Sequence, residues 1–399
     1  MRILFATRII RLFAYGFLSV ILALYLSAAG LPEGQIGLLL TLTLAGDAAI
    51  SLWLTTSADR IGRRRVLIAG AGLMTLAGAA FLLTRNPLLL ALAAIIGVIS
   101  PSGNEIGPFL SIEQAGLTQL VPDRKRTQTF AWYNLAGSFA TAAGALAGGW
   151  LAQALQTRGW TALASYRFVL AGYALAGMVL MLCFSAASPA IEVEAQPQGE
   201  KRTLGLHKSR GVVLKLSGLF AVDAFAGGLI VQSMIAFWFH IRFGVEEGLI
   251  GSIFFGANIL AGISALLAAR IARKIGLINT MVFTHIPSNI LLIFVPLMPN
   301  LPLAIGLLLA RFSISQMDVP TRQSYTMAVV APDERSAASG VTAIARSIGS
   351  ALSPALTGIF LGIPALLSLP FYLSGGLKII YDLALWRNFR AVKPPEERC

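Results

Sequence analysis

The sequence predicts an all-α membrane protein of twelve transmembrane helices, and three observations carry that prediction. First, 56% of the 399 residues are hydrophobic and only 12% are charged, with a mean hydropathy of +0.75. Soluble domains carry about 25% charged residues, so this chain has too little polar surface to dissolve in water. Second, apolar runs long enough to cross the hydrocarbon core, about 20 residues each, recur along its whole length. Third, the basic residues gather in alternate loops, the pattern that sets membrane orientation.

The expected spans, bounded by charges, Gly or Pro, are 4–29, 35–56, 66–84, 88–120, 128–154, 166–187, 213–240, 249–270, 277–298, 302–330, 337–361 and 365–386. The first follows Arg2, Arg8 and Arg11 and ends in Ser27-Ala28-Ala29-Gly30. It is too long for the apolar core of a signal peptide and reads as a retained helix. The fourth and tenth are long for single spans, and kinks are expected at Pro101, Pro108 and Pro320.

Arg60, Arg63, Arg64 and Arg65 share one side with Arg124, Lys125, Arg126, Lys201, Arg202, Lys208 and Arg210. Arg270, Arg273, Lys274, Arg335, Arg387, Arg390 and Lys393 continue that side, while Arg85, Arg158, Arg167 and Arg242 occupy the other. Both termini are therefore expected in the cytoplasm, with the chain multi-pass in the inner (plasma) membrane. The formal charge of +13 is spread over these loops, so it argues for a lipid bilayer and against nucleic acid as the partner.

The hydrophilic stretch 189–211 separates a predicted six-helix bundle at 1–188 from a second at 212–399. The halves repeat weakly. Gly34-Gln35-Ile36-Gly37 returns as Gly248-Leu249-Ile250-Gly251, Arg60-Ile61-Gly62 as Lys274-Ile275-Gly276, and Pro122-Asp123 as Pro332-Asp333. Gly148 falls opposite Gly358. Parallel repeats of this kind are a transporter plan.

Between the second and third spans runs Ser57-Ala58-Asp59-Arg60-Ile61-Gly62-Arg63-Arg64-Arg65. It resembles the loop motif of the major facilitator superfamily, with Thr55 where that family has its leading Gly. The fifth span carries Gly137, Gly144, Gly148 and Gly149 and resembles the glycine-rich helix of the family's antiporters, with Ala145 where those have Pro. Close helix packing explains these glycines equally well. The family's basic signature on helix four has no counterpart here. The resemblance implies two pseudo-symmetric six-helix bundles around a central cavity lined by helices one, four, seven and ten, working by alternating access. It implies gating roles for Asp59, Arg60, Gly62, Arg63, Gly144 and Gly148.

Ionisable groups inside spans need a partner or water, since burying one near a helix centre costs about 2.5–3.5 kcal/mol on insertion scales. The candidates for substrate or coupling roles are Asp47, Glu105, Glu113, Arg311, Asp318 and Arg322; Arg346 is also intramembrane. On a continuous helix Arg311, Ser315, Asp318 and Arg322 share a face, with Asp318 shared between two arginines. That ladder reads either as a substrate or ion site or as a strut. Asp223 reads as solvated near the cytoplasmic surface or as an inner-gate partner of Arg8 and Arg11. His240 and His285 each read as solitary and structural, and Lys378 with Asp382 reads as an i,i+4 pair.

Cys183 and Cys399 form neither a disulfide framework nor a metal motif. Phosphate-binding loops, zinc motifs and nucleophile elbows are absent from the sequence, so an enzyme is not expected. Without an ATP-binding domain, no cofactor is expected and a proton gradient is the energy source. The reading is a monomeric secondary transporter that exports a small organic molecule in exchange for protons. The alternatives are an uptake symporter for an organic anion and a non-transporting sensor or scaffold on the same fold.

Overall fold

The computed structural model describes residues 1–121, 123–186, 207–331 and 334–392. Most of the 189–211 segment and Pro332-Asp333 lie outside the described residues, as do the side chains of Asp59 and Arg60. The described residues are helical throughout, with short connections: α1 (Arg2–Ser19), α2 (Leu22–Ala28), α3 (Glu33–Ile61), α4 (Arg63–Leu83), α5 (Pro87–Ile96), α6 (Phe109–Leu120), α7 (Asp123–Thr157) and α8 (Ala162–Ser185). There follow α9 (Arg210–Gly228), α10 (Gln232–Phe243), α11 (Glu247–Ile275), α12 (Leu277–Phe294), α13 (Leu301–Phe312), α14 (Asp318–Val329), α15 (Arg335–Leu361) and α16 (Leu369–Phe389).

By length and composition, 8 segments among the described residues can cross a membrane, one of them α9 and α10 together, and α1 with α2, bent by 43°, makes a ninth. The remaining expected spans fall short for visible reasons. The fourth and tenth are each broken into two short helices, and the twelfth, α16, contains Lys378 and Asp382. Leu83, Leu88 and Leu182 are more than two-thirds exposed, an arrangement suited to lipid rather than water.

Proline kinks at the fourth and tenth spans were expected; the structure has interruptions instead. Gly97–Pro108 is non-helical, with Gly103 at φ +69° and Gly107 at φ +80°, left-handed values that favour glycine. Helix α6 starts only after Pro108. In the tenth span, α13 ends at Phe312 and α14 begins at Asp318, so Pro320 sits in a new first turn rather than inside a bent helix. The upstream halves are capped alike: Asn86 accepts from Leu88 N–H and Asn300 from Leu303 N–H, each beside a first-turn Pro.

The weak sequence repeat is a repeat of structure. Helices α3 and α11 both have 29 residues, and they begin at Glu33 and Glu247. Each ends on a single glycine that starts the next helix, Gly62 at φ +103° and Gly276 at φ +86°. The chain clusters into two compact units, one from Met1–Pro197 with Val231–Gly256 and the other from Gln198–Ile230 with Ala257–Cys399.

The glycine-rich α7 explains the core of the first unit. A Cβ at Gly144 would lie 2.0 Å from the Phe13 carbonyl oxygen, and one at Gly148 would lie 2.2 Å from that of Phe17. From the other side, a Cβ on Gly16 would lie 2.0 Å from Thr141 O. Helices α1 and α7 therefore touch backbone to backbone, which small residues permit in lipid. In the second unit Gly349 approaches Ala221 O on α9 in the same way.

Candidate functional site

Each unit buries a cluster of charges, and the two clusters have opposite arrangements. In the first unit the arginines are on α1. Arg8 and Arg11 are three residues apart, hence on one helix face, and both are buried. Arg8 Nη1 bonds Glu105 Oε2 at 2.8 Å, and Arg11 Nε bonds Glu105 Oε1 at 2.7 Å. Arg11 also grips Glu113 with two bonds, Nη1–Oε1 at 2.9 Å and Nη2–Oε2 at 2.7 Å. The Glu113 carboxylate accepts further bonds from Thr7 Oγ1 at 2.8 Å and from the Tyr133 hydroxyl. The Arg8 guanidinium lies 4.3 Å from the Tyr133 ring centroid, and Arg11 lies 4.6 Å from that of Phe109.

Glu105 is not on a helix but in the fourth-span interruption, whose polar backbone is held by side chains of other helices. The Tyr173 hydroxyl donates to Val98 O at 2.5 Å and the Tyr15 hydroxyl to Ile106 O at 3.3 Å. Gly107 N–H donates to Asp47 Oδ1 at 2.8 Å, and Ser51 Oγ donates to the same oxygen at 3.1 Å. Non-helical backbone at membrane depth needs such partners. Asp47 has no ion pair among the described residues.

In the second unit the order is reversed, with an acid on α9 and bases around it. Asp223, expected to be solvated or to face Arg8 and Arg11, is only 3% exposed. It binds Lys378 Nζ at 2.6 Å, Arg346 Nη1 at 2.9 Å and Arg322 Nη1 at 3.1 Å. The Lys378–Asp382 pairing expected from spacing does not form. Lys378 is taken by Asp223, while Asp382 meets His285 Nδ1 at 2.9 Å and Asn289 Nδ2 at 3.2 Å. His285 is thus partnered, not solitary. His240 meets Val245 O at 3.0 Å, a local contact.

The expected helix-ten ladder is broken by the same interruption that splits the span. Asp318 binds Arg322 at 2.8 Å and is not shared with Arg311. Arg311 is 8% exposed, stands over the Phe312 ring at 5.0 Å, and has a buried Nε with no hydrogen-bond partner. The Ser315 hydroxyl, in the interruption, is also buried and unpartnered.

Of the loop motif, Gly62 supplies the left-handed turn between α3 and α4. Arg64 donates to the carbonyls of Phe184, at 3.2 Å, and Ser185 at the end of α8, where a cation suits the helix dipole. Arg63 is the first residue of α4. From sequence, Arg8 and Arg11 read only as gate partners of Asp223; what was missed was their pairing with Glu105 and Glu113, the part of Tyr133 and the burial of Asp223. The shared face of Arg8 and Arg11 was the available signal.

The chain matches the Major Facilitator Superfamily profile over residues 4–354. It is 33% identical to an uncharacterized membrane protein of Saccharomyces cerevisiae, YJR124C, over 422 aligned residues, covering 98% of this chain and 94% of that one. Among solved structures it is similar to the nucleoside transporter NupG, with a TM-score of 0.74 at 14% identity and 98% of each chain covered. A D-xylose-proton symporter gives 0.73 at 14% identity, with 97% of each chain covered. A bacterial homolog of the human lysosomal transporter Spinster gives 0.71 at 16% identity, covering 98% of this chain and 96% of that one. The profile shows the family and the yeast relative is likewise a membrane protein; with its apolar helices, this multi-pass chain belongs to the Major Facilitator Superfamily of transporters.

Proposed function

We propose that this chain is a proton-coupled secondary transporter of a small organic molecule, with Asp47 as the group that takes up and releases the proton. The observation that carries this reading is the hydrogen bond from Gly107 N–H to Asp47 Oδ1 at 2.8 Å. It joins a carboxylate without an ion pair to the interruption of the fourth span. An ionised acceptor makes a hydrogen bond roughly twice as strong as a neutral one, so protonating Asp47 loosens Gly107. Glu105, two residues upstream, is the carboxylate that Arg8 and Arg11 share. Proton binding at Asp47 thereby reaches the ion pairs of α1.

On this reading the halves 1–188 and 212–399, linked by 189–211, are the moving bodies of a monomer with both termini in the cytoplasm, and transport is outward. The likeness of α7 to antiporter helices supports export; its glycines also pack α1, which has no direction in it. Uptake of an organic anion is the second reading, favoured by the three cations crowded on Asp223.

Purified protein in liposomes with an imposed pH gradient tests the proposal against pooled metabolites and dyes. Asp47→Asn should abolish gradient-driven accumulation while sparing downhill counterflow. Full accumulation by Asp47→Asn removes Asp47 from the proton path, and absence of counterflow with the native chain favours a sensor or scaffold.

A further inference from the structure

Arg311 is the eleventh residue of α13, so it lies about 15 Å along the helix from Leu301, at 1.5 Å per residue. That is half of a hydrocarbon core of about 30 Å. A guanidinium is least tolerable at this depth, and it persists there when it pairs with an acid or faces a water-filled path. Arg311 has no acid within ion-pair distance among the described residues. The carboxylate one would assign to it, Asp318, is spent on Arg322 at 2.8 Å, and Arg322 in turn reaches Asp223. The Arg311 Nε is buried with nothing to donate to. Four residues on, Ser315 is 5% exposed with an idle hydroxyl, in backbone that has left the helix. The interruption itself is tied down elsewhere, by Gln316 N–H to Ser264 Oγ at 3.3 Å. Irregular backbone at membrane depth is tolerated where it lines a cavity.

We propose that Arg311, with the Ser315 hydroxyl in the adjoining break, is the subsite that takes a compact oxyanion on the substrate, of the carboxylate or phosphate class. This rests on the transporter reading above and names its substrate class. The guanidinium fork matches two oxygens of such a group, and the ligand's charge supplies the counter-ion that the empty protein lacks. Arg322 is committed to Asp223 and Asp318 and Arg346 to Asp223, whereas Arg311 keeps a buried Nε with no partner among the described residues. A phospholipid headgroup offers the same chemistry but lies at the membrane surface, about 15 Å away from the midplane on a 30 Å core.

The test is thermal melting in detergent with sodium benzoate, sodium succinate and phenyl phosphate, and with neutral benzamide as control. At least one oxyanion should raise the native melting temperature by several degrees at millimolar concentration while benzamide does not. Arg311→Gln should lose that shift, and Arg311→Lys should bind about tenfold more weakly, lacking the planar fork. Without probe, Arg311→Gln should melt at or above the native chain, because it removes an unpaired buried charge; a strut would melt lower. An equal oxyanion shift in Arg311→Gln overturns the subsite, as does the absence of any shift in the native chain. In nanodiscs, an Arg311-dependent shift that anionic phospholipid alone reproduces assigns the site to a headgroup and also overturns it. Proton-driven transport of an oxyanion probe that survives Arg311→Gln undiminished sinks the subsite and leaves proton coupling standing. An Arg311-dependent oxyanion shift without proton coupling does the reverse.

Discussion

Glu105 and Glu113 bind the same arginine, yet their surroundings assign them different work. Glu113 is fully buried and accepts from Arg11 twice, from Thr7 and from Tyr133. Glu105 keeps 12% of its side chain exposed and sits in the non-helical break, two residues from the amide that Asp47 holds. Removing one partner of a buried pair is destabilising by about 3–5 kcal/mol, because the other charge is stranded. Glu113→Gln should therefore lower the melting temperature in detergent sharply, whereas Glu105→Gln should fold and lose exchange rate. The opposite ranking in paired melting and counterflow assays would show that Glu105 is the strut. Sequence showed both acids but hid their partners, because arginines at the start of a first helix also serve as orientation signals. Spacing misled at Lys378 and Asp382 for a related reason. An i,i+4 interval permits a pair worth a few tenths of a kcal/mol, and two buried long-range partners, Asp223 and His285, displace it.

At the scale of elements, run lengths and turn residues were legible, and the manner of breaking was not. The fourth and tenth runs were visibly too long, but a kink becomes an interruption only when other helices satisfy the freed backbone. Tyr15, Tyr173 and Asp47 do so from distant sequence positions. The start of α9 shows the same dependence. Glu334 accepts backbone N–H bonds from Lys208 and Ser209 at 2.8 Å each and from His207, and pairs with His207 Nδ1 at 2.6 Å. Burial opposes its ionisation, but the donors from Ser209, His207 and Lys208 outweigh that and hold the carboxyl down to about 2, from an ordinary 4.5. A folded value below the unfolded one gives stability that is complete above the unfolded value and lost as the pH falls through the folded one. The difference in melting temperature between the native chain and Glu334→Gln should thus be constant above pH 4.5 and narrow from there toward pH 2. A difference that stays constant from pH 4.5 down to pH 2 would remove Glu334 from the acid linkage.

At the scale of the molecule, composition and loop charge were enough for the fold class because the bilayer permits so few solutions. What they could not show is that α11 changes company along its length. Its first ten residues cluster with Met1–Pro197 and the rest with the second unit. The contact that holds its beginning is a helix crossing on α7: a Cβ on Gly149 would lie 2.3 Å from Glu247 O, and one on Gly251 would lie 2.7 Å from Ala145 O. Polar bonds line the crossing. Trp150 Nε1 donates to Ser252 Oγ at 3.0 Å, Gly248 N–H to Gln153 Oε1 at 2.9 Å, and Gln156 Nε2 to Glu247 Oε1 at 3.1 Å, with the Tyr166 hydroxyl on the same oxygen. These are side-chain bonds and two glycine contacts, with no ion pair among them, so the crossing can part at modest cost. If the transport cycle alternates access, the start of α11 must leave α7 once per turnover. Oxidative cross-linking of Trp150→Cys with Ser252→Cys, in a chain freed of Cys183 and Cys399, should then stop counterflow, and reduction should restore it. Undiminished counterflow in the fully cross-linked protein would mean that the crossing is fixed and that the moving boundary lies after Gly256, where the two units divide.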